Sequence, residues 1–194
     1  MLGVRFILAS SSPRRRELLQ LAGFEFDVVP STAPEQEMPG EAAEVLVRRL
    51  AVAKASQVAA SSPRGCLVLG ADTAVVVGGE ILGKPADAQD AARMLRRLSG
   101  RSHRVLTGVS VVEAPQRVRG VVHASTEVWF RNLDEAEIRA YASSGEPMDK
   151  AGAYAIQGVA SRFVTRIDGS YSNVVGLPVS LVDELLRAFA PKTA

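Results

Sequence analysis

Apolar and polar positions along this chain switch between two periods, and the switches predict its elements. Residues 5–9 form a short apolar run expected to be a buried strand. Serines and Pro13 follow, then Leu18, Leu19 and Ala22 at helical spacing until Gly23. A serine before Pro13 can cap such a helix, whose first turn tolerates proline. Residues 26–29 suggest a second strand, and the Pro-, Glu- and Ser-rich residues 30–41 a loop. Val45, Leu46, Leu50 and Ala53 mark the apolar face of a helix over residues 42–60. Residues 66–69 and 74–77 read as strands, with Gly70-Ala71-Asp72-Thr73 between them, and Gly78-Gly79 predicts a hairpin back through Leu82. Residues 86–98 form an amphipathic helix. The long β-like runs 103–112 and 118–130 are expected to pair antiparallel. Asp134, with Glu137 three residues on, has the form of a capping box for a helix to Ser143, and Gly145-Glu146-Pro147 breaks it. Residues 150–175 read as short strands punctuated by glycine, and Leu181, Val182, Leu185, Leu186 and Phe189 as the stripe of a closing helix. Early strand–helix units together with a long hairpin indicate an α/β fold with a mixed sheet.

Composition adds a boundary to this picture. The 194 residues are 47% hydrophobic and 23% charged, ordinary for a globular chain, and one domain over residues 1–194, or two intimate lobes, is expected. A net charge of +2 does not argue for a duplex-binding surface, and 5% aromatic residues leave few stacking platforms, so no nucleic-acid partner is expected. Cys66 is the sole cysteine, which excludes an internal disulfide and reads better as a core residue than as a nucleophile. The first apolar run is too short for a signal peptide, and no stretch approaches the roughly 20 residues that span a bilayer. The expected location is the cytoplasm. With two histidines, no Gly-x-x-x-x-Gly-Lys-Ser/Thr loop, no Gly-x-Gly-x-x-Gly and no Gly-x-Ser-x-Gly, several common chemistries lack their parts.

What remains is a set of individually weak polar signals. The strand–serine–helix start, Ser10-Ser11-Ser12-Pro13-Arg14-Arg15, suits an anion, because helix N-terminal N–H groups and two guanidinium forks match phosphate oxygens. It equally suits a capped helix with a solvated basic turn. Asp72 can hold Mg²⁺ or act as a base toward water, or can bond its own backbone in a turn. Lys84, in Gly83-Lys84-Pro85, offers a point charge to a phosphate or to solvent. Lys54 either snorkels along its helix or enters a pocket. Glu35 and Glu37 are candidate metal ligands in a loop otherwise expected to be solvated. Gln157 carries both a donor and an acceptor, as a base edge requires, and can also satisfy a turn.

In order along the chain, the motifs Leu8-Ala9-Ser10-Ser11-Ser12-Pro13-Arg14-Arg15, Lys54, Gly70-Ala71-Asp72-Thr73, Gly83-Lys84-Pro85, Leu98-Ser99-Gly100, Ser144-Gly145-Glu146-Pro147, Asp149-Lys150-Ala151-Gly152-Ala153-Tyr154, Ile156-Gln157-Gly158 and Ser170-Tyr171-Ser172-Asn173 resemble the Maf proteins of the ITPase-like (Maf/Ham1) superfamily. The resemblance implies an elongated mixed sheet flanked by helices, with two lobes around a deep cleft, and often a homodimer. It implies a nucleoside triphosphate pyrophosphatase that uses a divalent cation, Mg²⁺ or Mn²⁺, and water to yield a nucleoside monophosphate and pyrophosphate. Asp72 matches the family's proton acceptor; Arg14, Thr73 and Gln157 match positions tied to substrate choice. The Ser-Pro-Arg-Arg form resembles the branch acting on dTTP and UTP. Together with that chemistry, Ser10, Arg14, Arg15, Lys54 and Lys84 are expected at the substrate, and Glu35 and Asp72 at the metal. The same resemblance leaves open a non-catalytic nucleotide-binding regulator linked to cell-division arrest, beside a role in keeping modified nucleotides out of nucleic acids.

Overall fold

The computed structural model describes residues 5–189. Its strands are β1 (Phe6–Leu8), β2 (Phe26–Val28), β3 (Leu67–Val77), β4 (Glu80–Leu82), β5 (Ser102–Glu113), β6 (Arg117–Phe130) and β7 (Val164–Asp168). Its α-helices are α1 (Pro13–Leu21), α2 (Ala43–Ala59), α3 (Ala88–Leu98), α4 (Glu135–Ala142), α5 (Tyr171–Val175) and α6 (Val179–Arg187). The strands form a seven-stranded mixed sheet in the order β2-β1-β3-β5-β6-β7, with β4 on β3. β1 runs parallel to β2 and β3, whereas β4 and β7 pair antiparallel with β3 and β6. The α/β mixed-sheet expectation therefore holds. The chain divides into two compact units and crosses between them four times: one holds residues up to Asp72, Thr107–Ala124 and the chain from Gly176 on; the other holds Thr73–Leu106 and Ser125–Val175.

In the first unit the sheet is covered on both faces, which is why its strands read as continuous apolar runs. Phe6, Leu8, Leu69 and Ala71 face one way and meet Leu19 of α1 and Val182 and Leu186 of α6. Ala9 and Val68 face the other way and meet Ala55, Val58 and Ala59 of α2, with Ile7 and Cys66 packed alongside. Cys66 is thus half-buried in packing, as its apolar surroundings suggested.

The break expected at residues 70–73 does not exist: β3 runs without interruption from Leu67 to Val77. Gly70 lies against α2 so closely that a Cβ there would overlap the Ala51 carbonyl oxygen and the Ala55 backbone. It is a site of close packing, not of a turn. Residues 150–175 also depart from the expected short strands. They hold two short 3₁₀ segments, one strand, β7, and the short helix α5. The capping box at Asp134 forms as predicted, with Asp134 accepting from the Glu137 N–H and Glu137 accepting in return. Among the described residues, no helix is long and apolar enough to cross a membrane.

The second unit has an aromatic core. His103 of β5 stands edge-on to Phe130 and Tyr154, and Phe163 contacts both Phe130 and Tyr141. The His103 Nε2 shares a 2.8 Å hydrogen bond with the Tyr154 hydroxyl, and its Nδ1 has no hydrogen-bond partner among the described residues. Burial pulls the imidazole down from 6.5 to about 4, so His103 folds neutral. The unfolded chain then binds the extra proton first. Stability contributed by the neutral ring is complete above about pH 6.5 and falls as pH drops toward 4, by up to about 3 kcal/mol. Denaturant titrations between pH 4 and 7.5 are expected to show this slope, and to show it flattened in His103→Gln.

Candidate active site

The first unit brings Ser10, Arg15, Glu35, Lys54 and Asp72 together around β3, with α1 and α2 packed beside it. Alternation along β3 puts Asp72 on the side of Val68 and Gly70, facing α2. Lys54 lies one helical turn from Ala51 and beside Ala55, on the face of α2 that Gly70 allows to approach. Its ammonium reaches Asp72 Oδ1 at 2.5 Å and Glu35 Oε1 at 2.6 Å. Lys54 and Asp72 are each 8% exposed, whereas Glu35 lies at the surface. So the two carboxylates expected at a metal do converge, on a shared lysine. The Lys54 ammonium turns inward to these carboxylates rather than out along its helix to solvent. Among the described residues, no three or more His, Cys, Asp or Glu side chains gather as a metal cluster.

The serine–arginine segment splits into two jobs. Ser12 caps α1, accepting from the Arg15 N–H at 3.4 Å, and Ser10 Oγ accepts from the Ser12 N–H at 3.2 Å. The Arg15 side chain is buried and donates to three acceptors: Nε to the Gly176 carbonyl at 2.8 Å, and Nη1 to the Ala71 carbonyl at 2.9 Å and to Ser10 Oγ at 3.2 Å. Burial lowers its pKa, while the Asp72 and Glu35 carboxylates raise it. The guanidinium therefore braces the backbone immediately before Asp72. Arg14 is half-buried. The other expected substrate residues, Thr73, Lys84 and Gln157, belong to the second unit: Thr73 continues β3, Lys84 is exposed after β4, and Gln157 is exposed on a turn between two 3₁₀ segments.

A family profile described as "Maf-like protein" matches residues 5–189. The chain belongs to the Maf family. Curated relatives of this Maf chain include the "dTTP/UTP pyrophosphatase" of Geobacter sulfurreducens, 54% identical over 94% of this chain and 95% of that protein. The "dTTP/UTP pyrophosphatase" of Vibrio cholerae is 50% identical over 95% of this chain and 98% of that one. Among solved structures, the Ham1 protein of Staphylococcus aureus superposes with a TM-score of 0.55 at 12% identity, covering 95% of this chain and 99% of that one. A HAM1 protein from Coxiella burnetii gives 0.52 at 14% identity, covering 96% and 98%. These two likenesses carry the fold, which is that of the Ham1 proteins.

Sequence reasoning missed the polar framework of the Maf chain. Asn173 entered only within a motif, yet it is fully buried, and its amide donates to the Val105 carbonyl and to Thr126 Oγ1, each at 2.9 Å. Glu146 entered only as part of a motif, yet it accepts from the Tyr141 hydroxyl at 2.9 Å. Arg15→Ala leaves buried acceptors unpaired and is expected to lose about 3 kcal/mol or more, at about 1–3 kcal/mol per unmet group. Thermal unfolding of Arg15→Ala beside Arg14→Ala measures this, with Arg14→Ala expected to unfold much closer to the parent.

Proposed function

We propose that this chain is a nucleoside triphosphate pyrophosphatase that hydrolyses dTTP and UTP to the monophosphate and pyrophosphate, with water attacking the α-phosphorus and Asp72 as its base. The observation that carries this reading is the buried Asp72 carboxylate, fixed by Lys54 and facing a second carboxylate across the same ammonium. The curated relatives at about half identity, matched along nearly their whole length, supply the nucleotide class.

In this reading each residue has a physical task. Asp72 orients the water and takes its proton. Lys54 keeps the carboxylate in place and offers positive charge to the phosphates as they enter. Arg14 and Lys84 neutralise phosphate charge, and Ser10 supports the loop on which Arg14 follows. Thr73 and Gln157 help choose the base, since a carboxamide can meet both the donor and the acceptor on a uracil or thymine edge. Arg15 holds the Gly176 and Ala71 carbonyls and so fixes the backbone beside Asp72.

The donor set fits a divalent cation of the Mg²⁺ or Mn²⁺ type. Glu35 and Asp72 present hard oxygens, and Mg²⁺ requires only one or two protein carboxylates because it keeps several waters. When bound, such an ion supplies charge neutralisation at the phosphoryl oxygens. Lys54 already holds the same two carboxylates and is the chain's own cation at that point.

A nucleotide panel with Mg²⁺ or Mn²⁺ tests the proposal, reading monophosphate and pyrophosphate separately. dTTP and UTP are expected to turn over, and chelation to abolish turnover reversibly. Asp72→Asn is expected to lower kcat by about 10²–10⁴-fold with the circular dichroism spectrum retained. Unchanged turnover would remove Asp72 from the role of base, and tight dTTP binding without turnover would favour the regulator instead.

A further inference from the structure

The second unit contains a polar clamp that the reaction as described does not use. Gln157 sits in a four-residue turn closed by a 3.0 Å hydrogen bond from the Gly158 N–H to the Ala155 carbonyl. Both flanks of that turn are tied to the same pair of side chains. The Ala155 N–H donates to the Tyr141 hydroxyl at 3.1 Å, and the Val159 N–H donates to Glu146 Oε2 at 3.4 Å. Tyr141 in turn donates to Glu146 Oε1 at 2.9 Å, which closes the circuit.

Each part of this circuit is itself held. The Tyr141 residue is 3% exposed, and its ring stands edge-on to Phe163 with centroids 5.2 Å apart. Burial and the neighbouring Glu146 carboxylate raise its pKa, so the hydroxyl stays a donor. The Lys150 ammonium donates to the Glu146 carbonyl at 2.6 Å, fixing the backbone from which the carboxylate projects. Gly158 makes room for that carboxylate, because a Cβ there would overlap Glu146 Oε1. Gln157, by contrast, is exposed. A network of this kind sets the position of a backbone, and a carboxamide on a short turn can only be as well placed as the turn that carries it.

We propose that Tyr141 and Glu146 are positioning residues for base selection: they fix the 155–159 turn so that the Gln157 carboxamide meets the donor–acceptor edge of uracil or thymine. This rests on the pyrophosphatase reading given above. Uracil presents an N3–H donor beside the O4 acceptor, and cytosine presents an N3 acceptor beside the N4 donor. UTP and CTP share their sugar and triphosphate, so the ratio of their kcat/KM values isolates this recognition from phosphate binding.

The test is that ratio in the parent, Tyr141→Phe, Gln157→Ala and the double variant, with thermal unfolding alongside. Tyr141→Phe keeps the ring packing on Phe163 and removes only the hydroxyl. It is expected to reduce UTP over CTP discrimination about tenfold, mainly through KM for UTP, since displacements near 1 Å suffice for effects up to about 100-fold. In the Gln157→Ala background the same change is expected to cost no further discrimination. A lower unfolding temperature with an unchanged UTP/CTP ratio, or losses that add in the double variant, would overturn the proposal. Should Tyr141→Phe fail to fold, Glu146→Gln carries the same test: it leaves one acceptor oxygen for the two donors, the Tyr141 O–H and the Val159 N–H, and is expected to lower the ratio too. A parent protein that turns over neither UTP nor dTTP would instead overturn the pyrophosphatase reading itself.

Discussion

One buried ammonium sets the terms for the first unit. Lys54 and Asp72 are taken out of water together, and removing Lys54 leaves the buried carboxylate without its ammonium, a loss of about 3–5 kcal/mol in comparable pairs. Their contact requires α2 to lie close on β3, which a side chain at residue 70 would prevent. From the other face of the sheet, Arg15 of α1 holds the carbonyl of Ala71. The same point of β3 is thus gripped through its side chain from one side and through its backbone from the other. Asp72 is placed by this grip rather than by a loop, and a carboxylate on a braced strand keeps its aim better than one on a turn.

The second unit is ordered by polar groups inside an aromatic and aliphatic core. Asn173 joins α5 to β5 and β6 through its amide, and Thr126 Oγ1 also accepts from the Ser170 N–H at 3.1 Å. Tyr141 and Glu146 do the equivalent for the turn around Gln157. Such networks stabilise little on balance, yet breaking one member is costly because the remaining partners stay buried. Specificity of conformation is their main product.

Much of the fold was legible from periodicity. The helices at 13–21, 43–59, 88–98 and 135–142 follow apolar stripes, and the caps expected from a serine before Pro13 and from Asp134 form. Two segments were not legible, for different reasons. Gly70 reads as a turn residue in sequence because its use for close helix–strand contact depends on a helix about twenty residues earlier. Residues 146–163 form 3₁₀ turns held by side chains from distant positions, so no local period marks them. At the site, the residue types at 54 and 72 suggested charge and base chemistry, but their pairing is tertiary and invisible to spacing. Arg14 and Arg15 look equivalent in sequence, and only the fold tells the buried one from its neighbour.

The central claim is that the site directs water at the α-phosphorus of the nucleotide. Turnover of dTTP in ¹⁸O-labelled water, with both products analysed by mass spectrometry, tests it most directly. The account predicts that the label enters dTMP and leaves pyrophosphate unlabelled. Label in pyrophosphate, or release of labelled inorganic phosphate with dTDP, would place the attack at another phosphorus and contradict it.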